Sequence, residues 1–326
     1  MSKLIVIHTG GTISMQQNEE GNITLSDNHP LSNIREVENI PIQEIELFSL
    51  PSPHITPKHM LELSQYINKL LANHSKLAGI VITHGTDTLE ETAFFLDLTI
   101  KSTIPIVLTG AMRPSNEIGT DAIYNFQSAI RVAKCKEATN CGVLVVMNDE
   151  IHSARYVTKT STSNVATFKS PPFGPLGLIH KDQIVMYQKY LFSDNRLAVE
   201  KITKTVHLFK AYTGISSILF EHLNENNTSG LVIEALGQGN LPPEIVPSLE
   251  NLQSKGIIIV IVSRCYNGIV QPVYDYEGGG KSLQKLGIIF TNQINGPKAR
   301  LKLLLLLQQE ATVEEIRDAF QGQELR

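Results

Sequence analysis

Ile80-Val81-Ile82-Thr83-His84-Gly85-Thr86-Asp87-Thr88 joins an apolar, β-branched run to a glycine and then to three hydroxyl or carboxylate side chains. Leu89-Glu90-Glu91-Thr92-Ala93-Phe94-Phe95-Leu96 follows with helical character. Strand, sharp glycine turn, polar cluster and helix, in that order, are the layout of a site at the carboxyl edge of a parallel sheet. The N-terminus repeats the layout: Leu4-Ile5-Val6-Ile7-His8 reads as a strand and Thr9-Gly10-Gly11-Thr12 as its exit turn. If both strands lie in one parallel sheet, both turns open at the same edge, and Thr9, Thr12, Thr86 and Asp87 face one cleft.

Outward from these turns the pattern is a βα alternation. Strands are expected at 46–50, 80–84, 104–109 and 142–147, and helices from the Thr56-Pro57 cap to about Ala72, over 88–98 and over 121–133. The last helix carries an apolar face of Ile123, Phe126 and Ile130. Such alternation predicts a parallel sheet covered on both faces. After Asn148 the pattern changes, and 149–180, rich in Ser and Thr with Lys159 among them, reads as a hairpin or arm. A second βα series has strands at 205–209, 230–235, 257–262 and 287–291, helices at 215–224, 243–254 and 296–309, and a capping box at Thr312-Val313-Glu314-Glu315. The expected architecture is α/β in two domains. Residues 1–187 form a larger, mostly parallel sheet carrying the site, 188–204 a linker, and 205–326 a smaller parallel α/β domain. Residues 14–35 read as a loop directly after Thr12, either a lid or an ordinary surface excursion.

Composition narrows the classes. The chain has 326 residues, 42% apolar and 18% charged, with a net charge of -4, which gives no reason to expect nucleic acid as a partner. No apolar run is long enough for a membrane span; Leu301 to Leu307 is short, interrupted by Lys302, and reads as a buried helix. A first strand starting at Leu4 leaves no room for a signal peptide, so the expected compartment is the cytoplasm. Cys135, Cys141 and Cys265 have no metal-ligand spacing and read as reduced.

The residues that could carry chemistry are threonine, aspartate and lysine. Neither G-x-x-x-x-G-K-[ST] nor G-x-G-x-x-G is present, and no G-x-S-x-G elbow or H-E-x-x-H helix exists. No metal or cofactor is expected. His8 and His84 end strands and read as satisfied core histidines. Asp87 with Glu90 three residues on can simply cap the helix. Lys159 is either a solvated surface lysine or a cation directed at a threonine hydroxyl. A threonine hydroxyl attacks well only when a base or a cation lowers the cost of its ionisation. A charged lysine stabilises an alkoxide but cannot accept its proton, so a basic Lys159 would need burial to outweigh the pull of Asp87.

Ile7-His8-Thr9-Gly10-Gly11-Thr12-Ile13 and Ile82-Thr83-His84-Gly85-Thr86-Asp87-Thr88-Leu89-Glu90 resemble the two signature segments of bacterial-type L-asparaginases. Thr109-Gly110-Ala111-Met112-Arg113-Pro114-Ser115-Asn116-Glu117, Val157-Thr158-Lys159-Thr160 and Asn295-Gly296-Pro297-Lys298-Ala299-Arg300 resemble later segments of that family. The resemblance implies hydrolysis of L-asparagine to L-aspartate and ammonia without a cofactor. It implies Thr12 as the nucleophile of an acyl-enzyme, and Thr86, Asp87 and Lys159 as a second catalytic cluster. Asp87 and Ser52 would hold the substrate's α-amino and α-carboxylate groups, with Gly11, Pro53, Thr86, Ala111 and Gln238 completing the binding set. Backbone N–H groups at the turns would stabilise the oxyanion. The implied assembly is a homotetramer or homodimer with sites near the dimer contact.

The chain departs from the family pattern at identifiable positions. Residues 13 to 65 contain no Tyr where many members carry a lid Tyr, and Asn22 is the best-matching position. Pro53 stands where some members have Gln, and Gln238 where many have Asn. Tyr274, Asp275 and Glu277 lie where a neighbouring subunit's carboxylate is expected. The competing expectations are a glutaminase-asparaginase and a non-catalytic amino-acid sensor on the same fold.

Overall fold

The computed structural model describes residues 3–18, 20–25, 36–37, 40–74, 76–189 and 196–321. The chain forms two compact units, Met1–Arg196 and Leu197–Arg326. In the first, the strands are β1 (Lys3–His8), β2 (Met15–Gln17), β3 (Ile23–Leu25), β4 (Glu36–Val37), β5 (Ile40–Glu46), β6 (Leu77–Thr83), β7 (Ile106–Thr109), β8 (Val143–Met147), β9 (Glu150–Ser153), β10 (Thr158–Lys159), β11 (Phe168–Lys169), β12 (Gly177–His180) and β13 (Gln183–Met186). The helices are α1 (Pro57–Asn73), α2 (Leu89–Thr99) and α3 (Ala122–Lys134). Among the described residues the main sheet runs β13-β12-β9-β8-β7-β6-β1-β5-β4. Its centre, β5-β1-β6-β7-β8, is parallel. β9, β12 and β13 extend it antiparallel.

Strand period explains the burial. Successive side chains point to opposite faces. Leu4, Val6, Val81, Val107, Leu144 and Val146 pack on one face with Phe126, Ala129 and Ile130 of α3. Ile5, Ile7, Ile80, Ile82, Ile106, Leu108, Val143 and Val145 pack on the other with Leu63 and Ile67 of α1 and Leu89, Ala93 and Leu96 of α2. Both faces are covered, so these strands carry unbroken apolar runs.

Several expectations shift. The strand expected at 46–50 is β5, Ile40–Glu46. Pro41 is tolerated there because it lies near the strand's start, opposite Glu36 of the short β4. Residues 47–50 instead wrap the exit of β1: Leu47 N–H donates to His8 C=O at 3.0 Å and Leu50 N–H to Thr9 C=O at 3.3 Å. Ile123 is 45% exposed, and the buried face of α3 is Ala122, Asn125, Phe126, Ala129 and Ile130. The stretch 149–180 is partly the expected hairpin, β10 with β11, and partly main-sheet strands. Residues 14–25 are not a plain loop but a hairpin, β2 antiparallel to β3; 26–35 lie outside the described residues. Of the expected linker, 190–195 also lie outside them.

The second unit is a parallel sheet of β14 (Val206–Lys210), β15 (Gly230–Ala235), β16 (Ile258–Ser263) and β17 (Ile289–Phe290), in that order. Its helices are α4 (Val246–Ser254), α5 (Gly280–Lys285), α6 (Gly296–Gln308) and α7 (Val313–Gln321). The helix expected at 215–224 is only a 3-10 turn, Ser217–Phe220. Beyond it, Asn227 Nδ2 donates to His222 C=O at 2.8 Å, and such local bonds compete with helix. α5 has no expected counterpart in the pattern. α6 is buried as expected, including Lys302, whose Nζ donates to Ala319 C=O of α7 and lies 5.3 Å from the Phe320 ring centroid. The Thr312–Glu315 capping box forms, with Glu315 N–H donating to Thr312 Oγ1 at 3.2 Å and Thr312 N–H to Glu315 Oε2 at 2.7 Å. The cysteines are free thiols; Cys141 is buried, Cys135 half-buried and Cys265 exposed.

Candidate active site

β1 and β6 are parallel neighbours with His8 opposite Thr83, so their exit turns emerge side by side. The contact between the turns requires glycine. Gly11 has φ +87°, and a Cβ there would sit 2.2 Å from Gly85 Cα. A Cβ on Gly85 would sit 2.6 Å from Ser52 Cβ. Three turns therefore interlock: the exit of β1, the exit of β6 and the 3-10 turn Ser52–His54. Ser52 is buried, its Oγ accepting from Asp87 N–H at 3.2 Å and its C=O from the Thr88 hydroxyl at 2.9 Å.

Lys159 enters this corner from β10. Its Nζ donates to Thr86 Oγ1 at 3.0 Å and to Asp87 Oδ1 at 2.7 Å. Its backbone N–H donates to Glu90 Oε2 at 2.7 Å. The cap by Asp87 with Glu90 does not form. The N-cap of α2 is Thr88, with no side-chain cap bond, because Asp87 turns to the lysine head and Glu90 to its backbone. The side chains of Lys159 and Asp87 are 17% and 59% exposed. A pair this wet adds little stability, about 0–1 kcal/mol, so its effect is to orient and to place charge.

His84 braces the same turn from within. It is buried, with Nδ1 2.8 Å from Gly85 C=O and Nε2 2.9 Å from Thr92 Oγ1. A carbonyl only accepts, so Nδ1 carries the proton and Nε2 accepts from the Thr92 hydroxyl. Burial lowers the His84 pKa to about 4, with the Gly85 bond opposing it, and the ring stays neutral. The satisfied core histidine is what the structure contains.

Thr12 is half-buried at the start of a 3-10 turn, Thr12–Ser14. Its hydroxyl makes no hydrogen bond to any of the described residues, and the N–H groups of Thr12, Thr86 and Ala111 donate to none of them. Gly11, expected in the binding set, has its N–H spent on Leu50 C=O at 3.1 Å. Thr9 is corrected: its hydroxyl donates back to Thr83 C=O at 2.8 Å and faces the strand ladder. Ala111 is fully buried. Its neighbour Gly110 lies against Thr86, where a Cβ would be 3.2 Å from Thr86 Cγ2.

Pro53 is exposed in the 3-10 turn. Asn22 is exposed in the β2–β3 turn, its Nδ2 donating to Glu20 Oε2 at 3.2 Å. Gln238 belongs to the second unit, exposed, with its C=O accepting from Gln271 N–H at 3.1 Å. Also in that unit, Asp275 pairs with Lys285 at 2.9 Å, which holds its carboxyl below the usual range. The sequence reading missed Glu90 as the support of Lys159, because a carboxylate three residues after a possible cap reads equally well as part of the cap.

The family model for the asparaginase N-terminal domain matches residues 3–191, and the model for the glutaminase/asparaginase C-terminal domain matches 205–320. A probable L-asparaginase of Deinococcus radiodurans is 38% identical over 98% of this chain and 97% of its own. An L-asparaginase of Bacillus licheniformis is 36% identical over 98% of both chains. The crystal structure of a probable cytoplasmic L-asparaginase from Campylobacter jejuni superposes with a TM-score of 0.88 at 34% identity, covering 98% of this chain and 99% of that one. Fold and site together define an amide hydrolase. Within that class the chain belongs to the asparaginase family.

Proposed function

We propose that the protein hydrolyses the side-chain amide of L-asparagine to L-aspartate and ammonia. The observation that carries the mechanism is Lys159 Nζ bridging Thr86 Oγ1 and Asp87 Oδ1, on a turn that presses against the turn carrying Thr12. Thr12 Oγ attacks the amide carbon, and its proton leaves on the departing nitrogen as ammonia. The tetrahedral oxyanion needs donors fixed before it forms, and the unspent N–H groups of Thr12, Thr86 and Ala111 are available. The aspartyl ester on Thr12 is then cleaved by water. Lys159 Nζ, donating to Thr86 Oγ1 at 3.0 Å, is placed to stabilise negative charge that develops at Thr86 and the attacking water. Asp87 fixes Lys159 and, half-open to solvent, has lone pairs left for the substrate ammonium, while Ser52 sets the Asp87 backbone.

The same reading assigns catalysis to 1–187 and places Gln238 of the 205–326 domain in the binding set. It also assigns a cytoplasmic location and a homo-oligomer with sites near a subunit contact. Among the described residues no helix is long and apolar enough to cross a membrane. Glutaminase-asparaginase activity is the second reading, favoured by Pro53 and Gln238 at substrate-binding positions.

The test is ammonia release from L-asparagine and, separately, L-glutamine. Wild type should release it from asparagine, and Thr12→Ala should lose about 10³-fold or more in kcat with an unchanged fold. Thr12→Ala activity near wild type would remove Thr12 from the mechanism. Equal release from both amides would move the assignment to the broader enzyme.

A further inference from the structure

The strand that leaves Thr12 is held from outside as well as from within. Met15 N–H donates to Thr12 C=O, and β2 begins at once, pairing with β3 through Gln16 opposite Thr24. Met15 and Gln17 are two residues apart, so their backbone groups point to the other edge of β2. That edge is met by the loop after β7. Ser115 N–H and hydroxyl reach Met15 C=O at 3.4 and 3.3 Å. Asn116 takes both backbone groups of Gln17: its Oδ1 accepts from Gln17 N–H at 2.8 Å, and its Nδ2 donates to Gln17 C=O at 2.7 Å. Only a carboxamide side chain offers a donor and an acceptor in the geometry of a peptide. Asn116 thus stands where the next strand of a sheet would stand.

The loop presenting Asn116 is itself fixed. The Asp121 carboxylate accepts from the N–H groups of Met112 and Arg113 at 3.0 Å each, and from Asn125 Nδ2 at 2.9 Å. Asn125 also donates to Gly110 C=O at 3.1 Å, beside the Thr86 turn. Arg113 Nη1 donates to Gly119 C=O at 2.8 Å. A continuous set of bonds therefore runs from α3, through this loop, to the strand starting three residues after Thr12.

We propose that Asn116 is a positioning residue: by pairing with both backbone groups of Gln17 it anchors the stem of the β2–β3 hairpin and so fixes the turn that carries Thr12. Its catalytic half rests on the reading of Thr12 as nucleophile. On the same reading the substrate's α-groups are held at Asp87 and, as the family resemblance implies, at Ser52, so losing the anchor lowers kcat and spares KM.

The test compares wild type, Asn116→Ala and Asn116→Asp, the last keeping the acceptor for Gln17 N–H and losing the donor. Amide hydrogen exchange at Gln17 is read beside exchange at Val6 and Val81 in the core strands, together with kcat and KM for L-asparagine. In Asn116→Ala the Gln17 amide should exchange about tenfold faster or more, with Val6 and Val81 unchanged. Its kcat should fall about tenfold with KM within about twofold, because a displaced nucleophile costs rate rather than binding. Asn116→Asp should keep most of the Gln17 protection and lie between the two in kcat. Unchanged Gln17 exchange in Asn116→Ala would overturn the anchor, as would a parallel rise at Val6 and Val81. Fast Gln17 exchange with wild-type kcat would overturn the link to Thr12. If wild type itself releases no ammonia, the Thr12 reading falls and the catalytic half with it, while Gln17 exchange still decides the anchor.

Discussion

Thr86 and Thr12 leave adjacent parallel strands, yet the fold surrounds them differently. Thr86 is buried, bonded to Lys159 Nζ at 3.0 Å, and flanked by the His84 and Ser52 contacts that lock its turn. Thr12 is half-buried, its hydroxyl bonded to none of the described residues, and the chain beyond it is tied down at the surface by Asn116. The difference fits two chemical duties. A group that stabilises developing charge works best when its dipoles are aligned beforehand. An attacking threonine needs a base or a cation to lower the cost of its ionisation, and none of the described residues bonds the Thr12 hydroxyl.

Replacing the cation strikes the fixed side of this pair hardest. Lys159→Met should lower kcat/KM for L-asparagine by about 10³-fold, the scale of a lost electrostatic contact in a catalytic unit. The fold should survive, because the ion pair is wet and Asp87 can remain solvated. Steady-state kinetics with a thermal melt checks both halves. A loss under about tenfold with an unchanged melt would mean that Thr86 needs no cation, and the contrast between the two threonines would lose its chemical meaning.

Gly11→Ala tests whether the two turns are one structure. The added methyl would fall 2.2 Å from Gly85 Cα at a φ of +87°. Backbone cannot yield cheaply, so the cost should be about 3 kcal/mol or more in urea unfolding. Gly237→Ala is the control: its φ is +50° but nothing lies within 4 Å of the added Cβ, so only the left-handed strain of about 1 kcal/mol remains. Equal costs for the two would show that the turns of Thr12 and Thr86 do not press on one another.

Much of this was legible in the residues. The unbroken runs 4–8 and 80–84 specify buried parallel strands, and the glycines after them specify turns that meet. Thr86, Asp87 and Lys159 come together as expected although 72 residues separate Asp87 from Lys159. What stayed hidden was set by tertiary contact rather than by local pattern. The direction of Thr9 depends on a carbonyl of β6, the spent N–H of Gly11 on Leu50, and the value of Glu90 on a backbone 69 residues away. Asn116 entered the reading only as part of a family segment, because its partner, the edge of β2, lies in a stretch that reads as a loop.

The smallest effect probes what keeps the Thr86 turn rigid. The His84 pKa is lowered to about 4 from 6.5, so between those values an unfolded chain binds a proton that the folded chain refuses. The neutral ring therefore gives stability that is complete above pH 6.5 and is lost as the pH falls toward 4. At 1.36 kcal/mol per unit, the loss from pH 7 to pH 5 is about 2 kcal/mol. Groups shared by wild type and His84→Gln cancel in the difference, so wild type should lose about 2 kcal/mol more than the variant over that interval in chemical unfolding. The variant starts lower at pH 7, having given up the Gly85 and Thr92 bonds, and the two curves should converge on acidification. Parallel curves would mean that the imidazole titrates alike in both states. The bracing of Thr86 would then come from Ser52 and Lys159 alone.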